Sequence, residues 1–103
     1  MAMTAEKINL NFNAAARQAK RLEEIADQLE REMKNLGTEL DNLGAIWTGA
    51  ASNDYRKQGG DVKELMRKNV SNIRSIASAI RQTANAYREL ENQKLEEAES
   101  KKK

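Results

Sequence analysis

The residues that usually carry enzymatic or metal chemistry are missing from this 103-residue chain, which contains no cysteine and no histidine. Disulfides, zinc sites with Cys or His ligands, and Ser-His or Cys-His nucleophiles are therefore excluded. The apolar pattern predicts helices packed along their length, an architecture that offers no pocket for a pair of catalytic carboxylates. The composition thus predicts a protein that is not an enzyme and that needs no cofactor or metal.

Two short segments carry side chains suited to recognition rather than reaction. Trp47-Thr48-Gly49 separates two helical patterns, and Tyr87 precedes Glu91 by four residues. Trp47 either forms a recognition surface or plugs the end of the helix pair, and the two roles are compatible. Tyr87 continues an apolar seam, which on the residues alone favours a core role. Glu91 lies one turn later on the same face and has less structural reason to be there.

A first long helix must position these segments. Apolar residues from Ile8 to Leu43 recur at alternating steps of four and three, the heptad pattern of a helix that packs along one face. The chain contains no proline to interrupt it. This spacing predicts a helix over about residues 8–43.

The heptad pattern breaks in the segment 44–49, which is predicted to be a turn. Gly44 follows the last seam residue directly, where a left-handed glycine commonly ends a helix. Thr48 or Ser52 is suitably placed to cap the helix that follows.

A second helix is predicted over about residues 50–91, because the steps of four and three resume from Met66 to Tyr87. Gly59-Gly60 interrupts its start and marks a kink, a loosened turn or a point of close contact. Residues 92–103 are dominated by charges and are predicted to fray into a solvated tail.

These elements predict an all-α fold, an antiparallel helix-turn-helix hairpin formed by residues 1–91 as a single domain. With a turn centred on Trp47, residue i of the first helix faces roughly residue 94−i of the second. A two-helix layer has a thin core, so the hairpin is expected to dimerise into a four-helix bundle. The apolar residues expected in the hairpin and dimer core are Phe12, Leu22, Leu29, Met33, Leu36, Leu40, Val62, Met66, Val70, Ile73 and Ile80.

Charge and hydropathy exclude two classes of partner. Eighteen basic and sixteen acidic residues leave a net charge of +2, too small for a dedicated nucleic-acid binder. No apolar run approaches the roughly 20 residues that span a bilayer, so stable membrane insertion is not expected. The N-terminus lacks the layout of a secretory signal peptide, which by itself indicates a cytoplasmic protein.

The Trp47-Thr48-Gly49 turn in the middle of a helical, cysteine-free chain of this length resembles the WXG-hundred (ESAT-like) family. Ala51 and Tyr55 also match the usual look of this region of the family. Near the end of the second helix, Tyr87-Arg88-Glu89-Leu90-Glu91 fits the Y-x-x-x-D/E motif of the same family. The resemblance covers essentially the whole chain, although Gly59-Gly60 and the three final lysines depart from the expected pattern.

The resemblance implies a small substrate of a type VII secretion system, exported as a folded dimer. Its export signal would combine Trp47 and Gly49 of one subunit with Tyr87 and Glu91 of the other, read by the membrane-bound motor ATPase. The protein would then be made in the bacterial cytoplasm and exported without a cleaved signal peptide, which reverses the cytoplasmic assignment.

Two alternatives to an exported homodimer stay open. The chain could be a targeting chaperone that heterodimerises with the helical N-terminal domain of a type VII-exported toxin. It could also be a generic coiled-coil adaptor without a role in secretion.

Overall fold

The computed structural model describes residues 4–101, which form two helices and a short connection. Helix α1 spans Ala5–Ile46 and helix α2 spans Ala50–Lys101. Residues 47–49 join them, and the helices contact each other in antiparallel orientation. The predicted all-α helical hairpin is therefore confirmed, while dimerisation stays a prediction.

The first helix begins at a threonine cap. The Thr4 carbonyl accepts from the backbone N–H of Ile8 at 3.0 Å, and its Oγ1 accepts from the N–H of Lys7 at 3.2 Å. Both bonds satisfy donors that would otherwise lack a partner in the first turn. The helix thus begins three residues before the predicted start at residue 8.

The second helix continues ten residues past its predicted end at residue 91. Residues 92–101 are helical rather than frayed, because this segment consists largely of Glu, Lys, Gln, Leu and Ala, which have high intrinsic helix propensity. Lys101 lies in the last turn, where a positive charge complements the helix dipole. Lys102 and Lys103, the rest of the predicted tail, lie outside the described residues.

The hairpin divides into two compact units. The terminal unit combines α1 up to Leu22 with α2 from Ser75 onward, and the turn unit comprises Glu23–Arg74. Each unit contains its own stretch of both helices and its own buried side chains.

Small side chains form most of the buried core of the terminal unit. Ala19 and Ala77 are fully buried and Ala84 is nearly so, whereas Ile8 is the one large side chain that is fully buried there among the described residues. Alanine on both seams permits close approach of the helix backbones.

The turn unit combines a small apolar core with a partly exposed interhelical ion pair. Ala26 and Val70 are buried. The Arg74 guanidinium donates to the carboxylates of Glu30 at 2.6 Å and Asp27 at 3.2 Å. These groups are about half exposed, so the ion pair links the two helices but contributes little to stability.

The register of the helices differs from the predicted pairing of residues i and 94−i. Asn11 contacts Tyr87, Phe12 contacts Arg88 and Leu40 contacts Gly59, so facing residue numbers sum to about 100 in both units. The reason is that α1 continues through Gly44 to Ile46. The centre of the turn therefore lies further along the chain than Trp47.

The double glycine lies inside α2, and its two members have different surroundings. A Cβ on Gly59 would lie 2.6 Å from Cδ2 of Leu40, whereas a Cβ on Gly60 would meet nothing within 4 Å. The sequence left a kink, a loosened turn or a point of close contact open for this pair. The structure shows close contact at Gly59.

The residues expected in the core are buried to different degrees in the single chain. Val70 is 7% exposed and Val62 is 49% exposed. The remaining nine are half-buried: Phe12, Leu22, Leu29, Met33, Leu36, Leu40, Met66, Ile73 and Ile80. One hairpin therefore covers its apolar seams only partly.

Candidate functional site

The turn between the helices is built on Gly49, whose φ is +117°. This region of backbone conformation is accessible to glycine and strained for other residues. The sequence prediction placed the left-handed residue at Gly44, which is wrong. Gly44 is helical, and the Arg56 side chain lies in the space where a Cβ would be.

Gly49 also caps the start of α2, whose first residue is Ala50. The Gly49 carbonyl accepts from the backbone N–H of Asn53 at 3.0 Å, the first hydrogen bond of that helix, so Gly49 occupies the N-cap position. Neither Thr48 nor Ser52, the two predicted caps, takes this place. Glycine is tolerated as an N-cap nearly as well as the polar residues.

Ser52 instead completes the end of α1. Its side chain is fully buried, and Oγ donates to the Trp47 carbonyl at 2.6 Å. Carbonyl groups at the end of a helix have no partner within the helix, so this bond satisfies one of them. The hydroxyl expected to cap α2 thus serves the other helix.

An aromatic pair flanks the turn. The rings of Trp47 and Tyr55 lie 6.0 Å apart between centroids with a 55° interplanar angle, a favourable geometry for aromatic contact. They are nevertheless 40% and 58% exposed, and the preceding Ile46 is 85% exposed. Trp47 thus packs on one neighbour and leaves part of its ring exposed to solvent. More than half of the Tyr55 side chain is exposed to solvent.

The second predicted segment lies in the terminal unit, inside α2. Tyr87 is half-buried, and its hydroxyl accepts from Nδ2 of Asn11 at 2.9 Å. The guanidinium carbon of Arg88 lies 3.8 Å from the centroid of the Phe12 ring, a cation–π contact. Glu91, one helical turn after Tyr87, is also half-buried.

Asn11 is a site residue that the sequence reading did not identify. It lies next to Phe12 at the edge of the apolar seam, where polar residues are ordinary. The register of the two helices is the feature from which this contact could have been predicted. With facing numbers that sum to about 98, Asn11 pairs with Tyr87, whereas the predicted sum of 94 paired it with Thr83.

Beside Tyr87 lies an apolar groove of about 590 Å³ between the helices of the terminal unit. Exposed aliphatic surface contributes to it, since Ile76 is 53% exposed. The groove is lined by Asn11, Ala15, Ile76, Ala79, Ile80, Thr83, Ala84 and Tyr87. Such a surface on a helix pair is suited to another helix.

The four residues proposed from sequence as an export motif are divided between the two units. Trp47 and Gly49 form the connection in the turn unit, and Tyr87 and Glu91 share a face of α2 in the terminal unit.

No group of three Asp or Glu side chains within residues 4–101 is placed to hold a metal ion. Neither helix, over the same residues, contains a stretch long and apolar enough to cross a membrane.

Comparison with known proteins identifies the family. The family model WXG100, described as "Proteins of 100 residues with WXG", matches residues 7–92, which is more than four fifths of the chain. No curated protein and no solved structure matches the chain significantly. The matched range includes the Trp47–Gly49 turn and the Tyr87–Glu91 segment. The chain belongs to the WXG100 family and is thus a small helical protein associated with type VII secretion.

Proposed function

We propose that this protein is a secreted substrate of a type VII secretion system, exported as a folded homodimer. The observation that carries the proposal is the WXG100 match over residues 7–92, which contains both motifs. Proteins of this family typically pair with themselves or with related proteins. A secreted destination is what membership of the family implies, since these proteins are secretion proteins rather than enzymes.

The exposed apolar surface of the hairpin supports pairing with a second chain. Among the large apolar side chains, Leu10, Leu65 and Ile76 are more than half exposed. The groove beside Tyr87 adds a continuous apolar surface to this set. Covering it with the equivalent surface of a second hairpin would bury these side chains in a four-helix bundle.

The export signal in this proposal is composite. Tyr87 and Glu91 of one subunit, together with Trp47 and Gly49 of its partner, form the surface that the membrane-bound motor ATPase recognises. The exposed Trp47 ring supports a contact with another chain, because tryptophan contributes strongly to protein interfaces. The half-buried Glu91 carboxylate would accept a charge-assisted hydrogen bond.

Export assays of single variants in the native bacterium test the signal. We expect Tyr87→Ala and Glu91→Ala each to reduce the secreted fraction by about tenfold or more. Loss of one hydrogen bond to a charged group costs about 1.5–3 kcal/mol, and about 1.4 kcal/mol corresponds to tenfold. Glu89→Ala is the matched control, because Glu89 is an exposed carboxylate on the same helix outside the motif positions. Unchanged export of both motif variants would refute the signal.

The targeting chaperone remains the second candidate function, because the same exposed apolar groove offers surface to a helix of a related protein as well as to a second copy. Size-exclusion chromatography with light scattering on the purified chain separates the two. A stable dimer supports the substrate. A chain that aggregates alone and is rescued by a helical protein encoded beside it supports the chaperone.

A further inference from the structure

Two consecutive residues of α1 hold two consecutive residues of α2 in the terminal unit. Nδ2 of Asn11 donates to the Tyr87 hydroxyl at 2.9 Å, and the Arg88 guanidinium covers the Phe12 ring with its carbon 3.8 Å from the centroid. We call these four residues the clasp. One of its members, Tyr87, is the first residue of the proposed export motif.

The clasp supplies an interaction that the surrounding core lacks. The buried seam beside it consists of one large side chain, Ile8, and the methyl groups of Ala19, Ala77 and Ala84. Methyl groups pack closely but present little shape against sliding or rotation of one helix over the other. A directional hydrogen bond and a cation placed over a ring each have a preferred geometry. Two such contacts at adjacent positions fix both the register and the rotation of this segment of α2.

Fixing the segment also orients the next turn of α2 on the same face. Glu91 lies one turn after Tyr87 in the continuous helix, so its direction is determined by the rotation of that helix. Within residues 4–101 the Glu91 side chain forms no hydrogen bond or ion pair. Its carboxylate therefore remains available to an external donor.

We propose that Asn11 and Phe12 are positioning residues for the export motif: through Tyr87 and Arg88 they hold the motif segment in the orientation that the secretion machinery reads. The inference rests on the proposed function, since it assumes that Tyr87 and Glu91 are the signal. It also defines the reader's chemistry. The Tyr87 hydroxyl accepts a hydrogen bond from Asn11, and its own O–H is left to donate to another group. The reader therefore offers a hydrogen-bond acceptor to Tyr87 and a cationic donor to Glu91.

Nuclear magnetic resonance of the purified protein tests the clasp without reference to export. An Arg88 guanidinium above the Phe12 ring experiences the ring current, so its side-chain Nε–H proton is expected upfield of those of other arginines. Phe12→Leu should abolish that displacement, and Phe12→Tyr should keep it. Amide hydrogen exchange in residues 85–91 should accelerate about three- to tenfold in Phe12→Leu and in Asn11→Ala, the factor equivalent to about 0.7–1.4 kcal/mol. Unchanged chemical shift and exchange in both variants would overturn the clasp.

Export of the same variants then tests positioning. We expect Asn11→Ala and Phe12→Leu each to lower the secreted fraction at least about twofold, because the motif segment is then no longer held in the orientation that the machinery reads. Phe12→Tyr, which retains the aromatic ring, should export like the wild type. Asn13→Ala is the matched control for Asn11, because Asn13 is an exposed asparagine on the same helix.

A double-mutant comparison separates positioning from a general structural role. If Asn11 acts through the Tyr87 hydroxyl, the double variant Asn11→Ala with Tyr87→Phe should export no worse than Tyr87→Phe alone. Additive losses of export in the double variant would refute the proposal. Export losses that occur only when light scattering also shows loss of the dimer would refute it too, because the clasp would then be purely structural.

The export of the motif variants distinguishes failure of the signal from failure of its positioning. If Tyr87→Ala and Glu91→Ala export normally, the proposed signal fails. If they block export while Asn11→Ala and Phe12→Leu export normally, the signal stands and the positioning role is rejected.

Discussion

At the scale of single residues, the turn explains why its motif contains a glycine. Gly49 adopts a φ of +117° and accepts the first hydrogen bond of α2. Ser52 donates to the Trp47 carbonyl from the first turn of that helix. The chain thus reverses over three residues because one of them tolerates a conformation that other residues avoid. The glycine of the motif has a structural role whether or not a partner contacts it.

The backbone conformation of Gly49 leads to a direct stability prediction. Gly49→Ala should reduce the free energy of unfolding by about 1–3 kcal/mol, since a non-glycine residue in a sparsely populated conformation costs that amount. A methyl group at this position would meet no atom within 4 Å, so the loss would come from the backbone and not from a clash. Urea denaturation followed by circular dichroism measures it. A variant as stable as the wild type would contradict the role of the turn glycine.

At the scale of the helices, the heptad spacing was sufficient to predict two rods and one turn. It was not sufficient to predict their ends. Gly44 and Gly49 both stand near the break in the pattern, and only the structure shows that Gly44 continues the helix beside Arg56. Charge in residues 92–101 suggested fraying, yet charged residues with high helix propensity extend a helix in water.

The missed contact of Asn11 follows from the same error at the turn. Ending α1 early moved the centre of the hairpin toward the N-terminus, and the predicted register then paired Tyr87 with Lys7. The true register pairs Tyr87 with Asn11. Periodicity determines which face of a helix is apolar, but it does not determine how far one helix is displaced along another.

The two adjacent glycines of α2 provide a matched test of interhelical packing. Gly60→Ala should stabilise the protein by about 0.4–1 kcal/mol, because the methyl group meets open space and the unfolded chain loses freedom. Gly59→Ala should gain less or destabilise, because the new Cβ would lie 2.6 Å from Cδ2 of Leu40. Thermal unfolding of both variants under identical conditions gives the difference. Equal stabilisation would contradict the close packing at Gly59.

At the scale of the whole molecule, the hairpin buries few large side chains and exposes many. Ile8 and Ser52 are the largest fully buried side chains among the described residues, while Leu65 and Ile76 are more than half exposed. This distribution is what one half of a larger helical bundle presents. The proposed homodimer supplies the second half.

Charge placed in the groove should therefore separate the dimer. Ile76→Glu would bury an unpaired carboxylate in the interface, which is strongly unfavourable. We expect it to raise the dimer dissociation constant by about 100-fold or more, equivalent to about 2.8 kcal/mol. Light scattering should then report a mass near the 11.6 kDa of one chain rather than twice that value.

Ser78→Glu is the matched control for this substitution, because Ser78 is exposed on the same helix and does not line the groove. It should leave the dimer intact. If Ile76→Glu also remains a dimer, the groove is not the interface.

Export by a type VII secretion system is the property on which the proposed function depends. The decisive experiment compares the amount of wild-type protein in culture supernatant and in cells, with the motor ATPase active or inactivated, and with a cytosolic protein followed as a marker of lysis. We expect protein in the supernatant when the ATPase is active and retention in the cells when it is inactivated. Equal amounts outside the cells in both strains, or none in either, would contradict export by this route.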